Sequence, residues 1–407
     1  MKSAPLIQKS WRKGVKKFAI IYPNKQFGGV YNLAIHIIYN LVNNQPNWIC
    51  EQRFIEDATN LDQFDLIGFT WQYELDLKNI IKILAQNKIK GKIFAGGPCV
   101  NTNFNPIKKY VDFLVLGECE EILPQILENY DDLDNLSKIP GVYVPSLTKK
   151  IIFAKNTLDS YPFYQPIPVE IDKKFVFGKC FILEVERGCP FKCNFCPLPC
   201  NFELKYRPLE KLKEIINLGL KINQRNKIVI YAPSFTHPQK KEILQYLIDK
   251  KVNFTVPSIK AEYMDKETLE LIYKGGQKSL TIAPECGETL RPTLNKHVKD
   301  EKYLAFAKAA DKFSKLKLYF MLGLPEQNKK DMNEILSLIK NIKKVFRGNI
   351  YASFNPFIPK KGTKFEDQPF RKKEILSQIE YLKKHLDIQY KFSGVATAEK
   401  IYKMNSI

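Results

Sequence analysis

The chain has 407 residues, 44% of them hydrophobic and 26% charged, enough for two or three ordinary domains and unlike a disordered composition. No run of 18 apolar residues occurs, which excludes a membrane-spanning helix, and the basic N-terminus lacks an apolar signal core, so a cytoplasmic protein with no membrane partner is expected. The net charge of +21 fits a polyanionic partner such as RNA. It fits a lysine-rich composition equally well, because the lysines are spread along the chain and form no basic arm.

The first part alternates strand-like and helix-like segments. Lys17–Tyr22 (KFAIIY) is an apolar run ended by Pro23-Asn24; a Gly28-Gly29 turn and a helical period through Leu33, Ile37, Ile38 and Leu41 follow. Trp48–Phe54 reads as extended. Asp65–Thr70 (DLIGFT) is a second apolar strand, before a helix from about Leu77 to Leu84. Lys92–Ala95 ends in Gly96-Gly97-Pro98, and Asp112–Leu116 ends in Gly117-Glu118 and a helix to about Leu127. This alternation predicts an α/β fold with a doubly wound parallel sheet over residues 1–128. Ligands of such sheets bind beyond the carboxyl ends of the strands. Gly28, Gly29, Gly96, Gly97, Gly117 and Glu118 are the candidate ligand-loop residues there; helix N-terminal charge complementarity explains Glu118 equally well. Residues 129–178 carry an acidic stretch and several prolines, and predict a short hairpin around Gly141-Val142-Tyr143-Val144 followed by an extended linker.

The second part starts afresh. Strands are expected at Phe181–Glu186, Lys227–Tyr231, Asn253–Val256, Ser279–Ala283, Leu316–Phe320 and Ile350–Phe354. Helical periods separate them: Pro208–Leu218, Gln239–Asp249, Lys266–Tyr273, Lys302–Phe313 and Lys329–Val345. Six β–α units predict a partial TIM-type (β/α)6 barrel over residues 179–365, with its chemistry at the carboxyl ends of the strands. Residues 366–407 read as a basic helical tail, with a helix from Arg371 to Leu386.

Nine cysteines, an odd number, argue against a disulfide framework and for metal or redox chemistry. Cys180, Cys189, Cys193, Cys196 and Cys200 crowd into 21 positions, whereas Cys50, Cys99, Cys119 and Cys286 are scattered. The run Glu186-Arg187-Gly188-Cys189-Pro190-Phe191-Lys192-Cys193-Asn194-Phe195-Cys196 follows the first barrel strand. Three thiolates on one short loop can hold three irons of a cubic cluster and leave the fourth iron open to a small molecule. A four-ligand zinc site is the alternative, with Cys200 as the fourth ligand, but it lacks a second Cys-x-x-Cys or His pair.

Cys-x3-Cys-x2-Cys after the first strand of a six-unit barrel resembles the radical S-adenosylmethionine (SAM) superfamily, and Phe195 before the last cysteine fits it. Three further stretches resemble the branch with an N-terminal cobalamin-binding-type domain. They are Ser279–Arg291 (SLTIAPECGETLR), Leu316–Pro325 (LKLYFMLGLP) and Phe357-Ile358-Pro359-Lys360. So do Ala95–Pro98 and Gly117-Glu118 of the first part, and the resemblance spans roughly residues 17 to 365.

The resemblance implies a 4Fe–4S cluster on Cys189, Cys193 and Cys196, and reductive cleavage of SAM to methionine and a 5′-deoxyadenosyl radical. Where the family often has Gly-Gly-Glu, this chain has Tyr231-Ala232-Pro233-Ser234-Phe235, so backbone carbonyls near Ala232 and Ser234 would receive the SAM amino group. Ser258 and Lys260 would meet the SAM carboxylate, Glu285 the ribose hydroxyls or the amino group, and Arg291 the carboxylate. Each could instead be a solvated surface charge. Cobalamin-binding domains often supply a His ligand from the loop after the first strand; here Pro23–Gly29 has none, and His36 reads as a helix residue. Cobalamin, if bound, would lack that ligand. Cys200 and Cys286 are candidate radical quenchers or methyl acceptors, with a buried thiol as the simpler reading; Cys50 and Cys119 read as core.

The expected function is thus a radical SAM enzyme needing a substrate and an electron donor. With cobalamin its most concrete reaction is methyl transfer to an unactivated carbon. The alternatives are an RNA-modifying enzyme of the methylthiotransferase type, and a non-enzymatic metal-binding module that contacts nucleic acid.

Overall fold

Continuous apolar runs make the central strands of the first sheet, as strands covered on both faces require. In β1 (Lys16–Tyr22), Phe18, Ala19, Ile20 and Ile21 are all buried, and all of β3 (Leu66–Thr70) is buried too. The computed structural model describes residues 9–159, 163–165, 177–198 and 202–406. It divides into two compact units, one of Met1–Ile182 with Glu214–Arg225, the other of Leu183–Lys213 with Asn226–Ser406.

The first unit holds a six-stranded sheet. With β2 (Trp48–Phe54), β4 (Lys92–Gly96), β5 (Phe113–Val115) and β6 (Val142–Tyr143), the order is β2-β1-β3-β4-β5-β6. Strands β1 to β5 run parallel; Phe18 pairs with both Cys50 and Leu66. The helix Leu33–Asn43 starts at Asn32, whose side chain accepts from the Ile35 N–H at 3.2 Å, and packs Ile35, Ile38, Tyr39 and Val42 into the core. Asp65 and Asp112 sit at the amino ends of their strands and accept backbone N–H bonds from Lys17 and Ile93, each at 2.8 Å. The strand order reverses between β1 and β3, the topological switch point of such a sheet.

One expectation for residues 129–178 is corrected. Gly141–Val144 does not make a hairpin: β6 pairs antiparallel with β5 as the sheet's edge strand. Part of the extended segment after it is tied down, because Ala154 bridges Gly117 and the Asn156 N–H donates to Glu118. Pro162, Pro166 and Pro168 lie outside the described residues.

The second unit is built on parallel strands in two runs. One has the order β11-β10-β7, from β7 (Phe181–Glu184), β10 (Lys227–Tyr231) and β11 (Asn253–Thr255). The other has the order β12-β13-β14-β15, from β12 (Ser279–Glu285), β13 (Lys315–Leu322), β14 (Asn349–Pro356) and β15 (Gln389–Phe392). The Ile259 N–H donates to Thr281 O at 3.0 Å and joins the runs. Alternate residues of β12 to β14 are buried, giving layers of Leu280, Ile282, Leu316, Leu318, Ile350 and Ala352. Within this unit helices follow the strands at residues 240–249, 266–274, 300–309 and 329–345.

The tail is not merely helical. Between the helices Lys372–His385 and Val395–Asn405 it inserts β15, parallel to β14. Stacked rings carry this extension: Phe320 on Phe354 at 5.3 Å and Phe354 on Phe392 at 5.1 Å between centroids.

Candidate active site

The cysteine loop is pinned at its base. Two short strands flank it, β8 (Glu186–Arg187) and β9 (Lys205–Tyr206), paired antiparallel. Gly188 has φ +79°, and a Cβ there would stand 2.4 Å from Glu203 O, so only glycine lets the two legs approach. Under this base Glu184 is buried and bonded to Arg187 at 2.9 Å and Arg207 at 2.7 Å. Burial pushes its carboxyl up, but the two guanidinium groups outweigh that and hold it below the ordinary value. Further along, the loop is fastened to the turn Glu288–Leu294: Asn194 N–H donates to Leu294 O at 3.1 Å and its side-chain amide to Thr293 O at 2.8 Å. Asn295 returns a bond to Lys192 O at 2.7 Å.

This mounting leaves Cys189, Cys193 and Cys196 half-buried along one cavity, with Phe195 between the last two. The rest of its lining comes from the carboxyl ends of successive strands. Pro233 and Ser234 follow β10; Ser258 and Lys260 follow β11; Ala283 and Glu285 end β12. Lys296 and Tyr303 complete it. The Cys196 thiol is pushed up to about 11 by burial. Burial also raises Cys193, against the opposing charges of Lys260 and Lys296. A metal binds the thiolate, so thiols in this state release their protons to solvent when a metal displaces them.

Glu285 lies at a register shift in β12 and has φ +72°, a conformation rare for a residue with a side chain and frequent at functional sites. β12 therefore runs two residues beyond the expected Ala283 and delivers Glu285 to the cavity. Its Oε1 is 3.3 Å from Lys296 Nζ, which also donates to Ala283 O. Lys260 Nζ stands 4.4 Å from the centre of the Phe191 ring.

Most of the expected SAM contacts thus share the cavity: Phe195, Ser234, Ser258, Lys260 and Glu285. Ala232 is buried beside the wall, which Pro233 and Ser234 form instead. Arg291 is corrected on both counts, being neither at the cavity nor on the surface. It is fully buried, donates to Pro284 O and Val298 O, pairs with Asp300 at 2.6 Å and lies 4.8 Å from the Tyr303 ring centre. Cys286 is fully buried among Leu290, Leu294 and Phe357, its thiol pushed up by burial; Cys200 lies outside the described residues. Two functional candidates had escaped sequence reasoning. Lys296 reaches back eleven residues to Glu285, with no local pattern to mark it. Glu186 is a second glutamate at i+2 from Glu184 in an otherwise apolar strand, and buried carboxylates demand partners; that was the available signal.

The glycine loops of the first unit are differently placed. Gly28 and Gly29 form a short helix, and Gly29 packs where a Cβ would meet the Phe54 and Tyr22 rings. Gly96 ends β4 and Gly97 caps the short helix Pro98–Thr102. Gly117 has φ +86° and the backbone of Ala154 lies against it, while Glu118 Oε2 accepts from Asn156 N–H at 3.0 Å. Glu118 thus ties down the following segment, and neither residue is an open ligand cradle. Beside the switch point Asn24 donates to Asp76 at 2.7 Å; Asp76 is buried, its other oxygen has no partner among the described residues, and burial raises its carboxyl. His36 is fully buried in its helix, as expected. Its Nε2–H donates to Val30 O at 2.8 Å, Nδ1 accepts from Gln52 at 3.2 Å, and burial lowers it to about 4. Cys50 is core and Cys119 packs half-buried against it.

Residues 55–145 match the family model described as the N-terminal part of radical SAM proteins, and residues 183–339 match that of the radical SAM superfamily. Over 388 residues the chain is 34% identical to uncharacterized protein MJ0966 of Methanocaldococcus jannaschii, covering 92% of this chain and 84% of that one. The chain belongs to the radical SAM superfamily. Its members are enzymes, and the cofactors of this superfamily are a 4Fe–4S cluster and SAM. Two solved structures share the fold of this radical SAM protein. The methyltransferase TsrM of Kitasatospora setae, with cobalamin and a 4Fe–4S cluster bound, aligns with TM-score 0.66 and 11% identity over 86% of this chain and 74% of that one. The cobalamin-dependent enzyme OxsB aligns with TM-score 0.62 and 14% identity over 92% of this chain and 57% of that one. The N-terminal unit of this radical SAM enzyme is thus of the cobalamin-binding type in fold.

The cavity's donor set suits the family's cofactors. Three soft thiol ligands line the cavity together with the hydroxyls of Ser234, Ser258 and Tyr303, the carboxylates of Glu262 and Glu285 and the ammonium groups of Lys260 and Lys296, a set that can receive a zwitterion. Among the described residues no three His, Cys, Asp or Glu groups converge closely enough for a single ion; a cubane asks for one thiolate per iron. Among them also, no helix is long and apolar enough to cross a membrane.

Proposed function

We propose that the protein holds a 4Fe–4S cluster on Cys189, Cys193 and Cys196 and cleaves SAM in the cavity beside it. The single observation that carries this reading is the shared cavity: three half-buried thiols line it together with Ser234, Ser258, Lys260, Glu285 and Lys296. When bound, the cluster supplies the electron that splits SAM to methionine and a 5′-deoxyadenosyl radical. The chain's own residues bind and orient. Ser258 and Lys260 take the SAM carboxylate. The carbonyls of Pro233 and Ser234 accept from the amino group. Glu285, steadied by Lys296, accepts from the ribose hydroxyls, and Phe195 and Tyr303 keep water from the reacting centre.

The finer reaction in this reading is methyl transfer with cobalamin in the first unit; TsrM, a methyltransferase, and OxsB, a cobalamin-dependent enzyme, support it as neighbours in fold. His36 does not fit as a cobalt ligand, since both its ring nitrogens are engaged inside the core. Cobalamin bound here is therefore held without a protein imidazole.

Mass-spectrometric product analysis of the anaerobically reconstituted protein, given SAM, reductant and cobalamin, tests both levels. The expected products are 5′-deoxyadenosine and methionine, with S-adenosylhomocysteine appearing only when cobalamin is present. Absence of the homocysteine product removes methyl transfer; absence of all three with a full iron content removes SAM cleavage.

A further inference from the structure

We propose that Glu186 is a positioning residue for SAM, one that sets the wall after β10 against the cysteine loop; this rests on the SAM-cleavage reading above. Glu186 is 0% exposed and stands three residues before Cys189. Its bonds converge on one three-residue stretch. Oε1 accepts from the Ser234 N–H and hydroxyl, each at 3.1 Å. Oε2 accepts from the Thr236 N–H at 2.9 Å and lies 3.5 Å from its hydroxyl. Ser234 and Thr236 hydroxyls are themselves 3.2 Å apart.

The residue between them explains why so firm a hold is needed. Phe235 has φ +50° and is fully buried. A bulky aromatic seldom occupies this left-handed region, and it stays there only where its surroundings over-determine it. One carboxylate binding the N–H groups on both sides does that. The turn it enforces is the one that places Pro233 and Ser234 on the cavity wall. Released from Glu186, Phe235 relaxes toward negative φ and the two carbonyls leave the position assigned to the SAM amino group. Because Glu186 also belongs to the strand that leads into Gly188 and Cys189, one side chain fixes the amino-group subsite relative to the cluster loop. The neighbouring Glu184 serves a different end, being taken up by Arg187 and Arg207.

The test is Glu186→Gln in the reconstituted full-length protein. Glutamine keeps one acceptor and turns an NH2 toward two of the donors. Iron content and the electron paramagnetic resonance signal of the reduced cluster without SAM are expected to match wild type. KM for SAM is expected to rise on the order of tenfold while kcat holds, as for lost positioning of a bound group. An unchanged KM overturns the proposal. If Glu186→Gln loses iron, Thr236→Val decides instead: Thr236 is outside the cavity wall, its lost hydroxyl loosens the same grip, and KM should rise roughly threefold; a wild-type KM there overturns the proposal. The wild-type control separates the two levels. No 5′-deoxyadenosine from wild type sinks the SAM-cleavage reading itself, whereas normal wild-type cleavage with unaltered KM in the variants sinks only the role of Glu186.

Discussion

Both units end their parallel strands in loops at the carboxyl edge, and the two edges are treated in opposite ways. At the first, polar and glycine positions are largely consumed by the fold: Gly29 packs under two rings, Gly117 lies against Ala154, Glu118 holds Asn156, and His36 is spent on Val30 and Gln52. At the second, Cys189, Cys193, Cys196 and Lys260 stay half-exposed and Ser258 exposed along one cavity, and the buried groups around them serve to hold that set in place. A shared topology rule locates an edge worth inspecting; what remains unspent there decides the chemistry.

The contrast can be broken most sharply at the cysteines. Cys193→Ala should lower iron content and reduce 5′-deoxyadenosine formation to background, measured anaerobically against wild type; persisting cleavage would place the chemistry elsewhere. Next in size is Arg291→Met. Removing the buried guanidinium leaves the Pro284 and Val298 carbonyls without their donor and Asp300, itself partly exposed, without its partner, and should cost about 2 kcal/mol of stability in denaturant unfolding, with SAM affinity of the folded protein unchanged. A specific loss of SAM affinity would return Arg291 to the cavity. Lys296→Met takes the counter-charge from Glu285 at the cavity itself and should raise the KM for SAM roughly thirtyfold, about 2 kcal/mol.

The smallest effect sharpens the other side of the comparison. His36 is lowered from 6.5 to about 4 by burial, so the unfolded chain binds the proton first. Its contribution is complete above pH 6.5 and is lost progressively as pH falls toward 4. One unit below 6.5 the expected loss is about 1 kcal/mol. All three tryptophans, Trp11, Trp48 and Trp71, lie in the first unit, so their fluorescence reports its unfolding. His36→Phe should flatten the slope between pH 6.5 and 5; an equal slope in both proteins would mean His36 is not held neutral.

Elements whose cause is local were legible in the sequence. KFAIIY and DLIGFT read as doubly covered strands because every residue's burial is written in its side chain, and the three cysteines read as a cluster site because their spacing lies within one loop. Partners that meet across distance were not. β15 is QYKF, polar by composition, and exists because Phe392 stacks on Phe354 from 38 positions away. Lys296 and Glu186 acquire roles only when the chain returns to Glu285 and to Ser234. Arg291 was assigned to the SAM carboxylate, with solvent as the alternative, because a charge beside a strand end suggests a ligand or water, whereas Asp300 and two carbonyls satisfy it inside.

The ties from the cysteine loop to the turn at Glu288–Leu294 join residues 99 and 103 positions apart. This orders the protein's maturation. A nascent chain that has emerged only as far as Cys196 owns all three thiols of the proposed cluster site, yet the struts that present them have not been made. Metal loading in the native geometry therefore belongs to the finished chain, after the ribosome has passed Asn295 and the long-range contacts have closed. A fragment ending before that residue should take up iron, if at all, as an unshaped thiol peptide would.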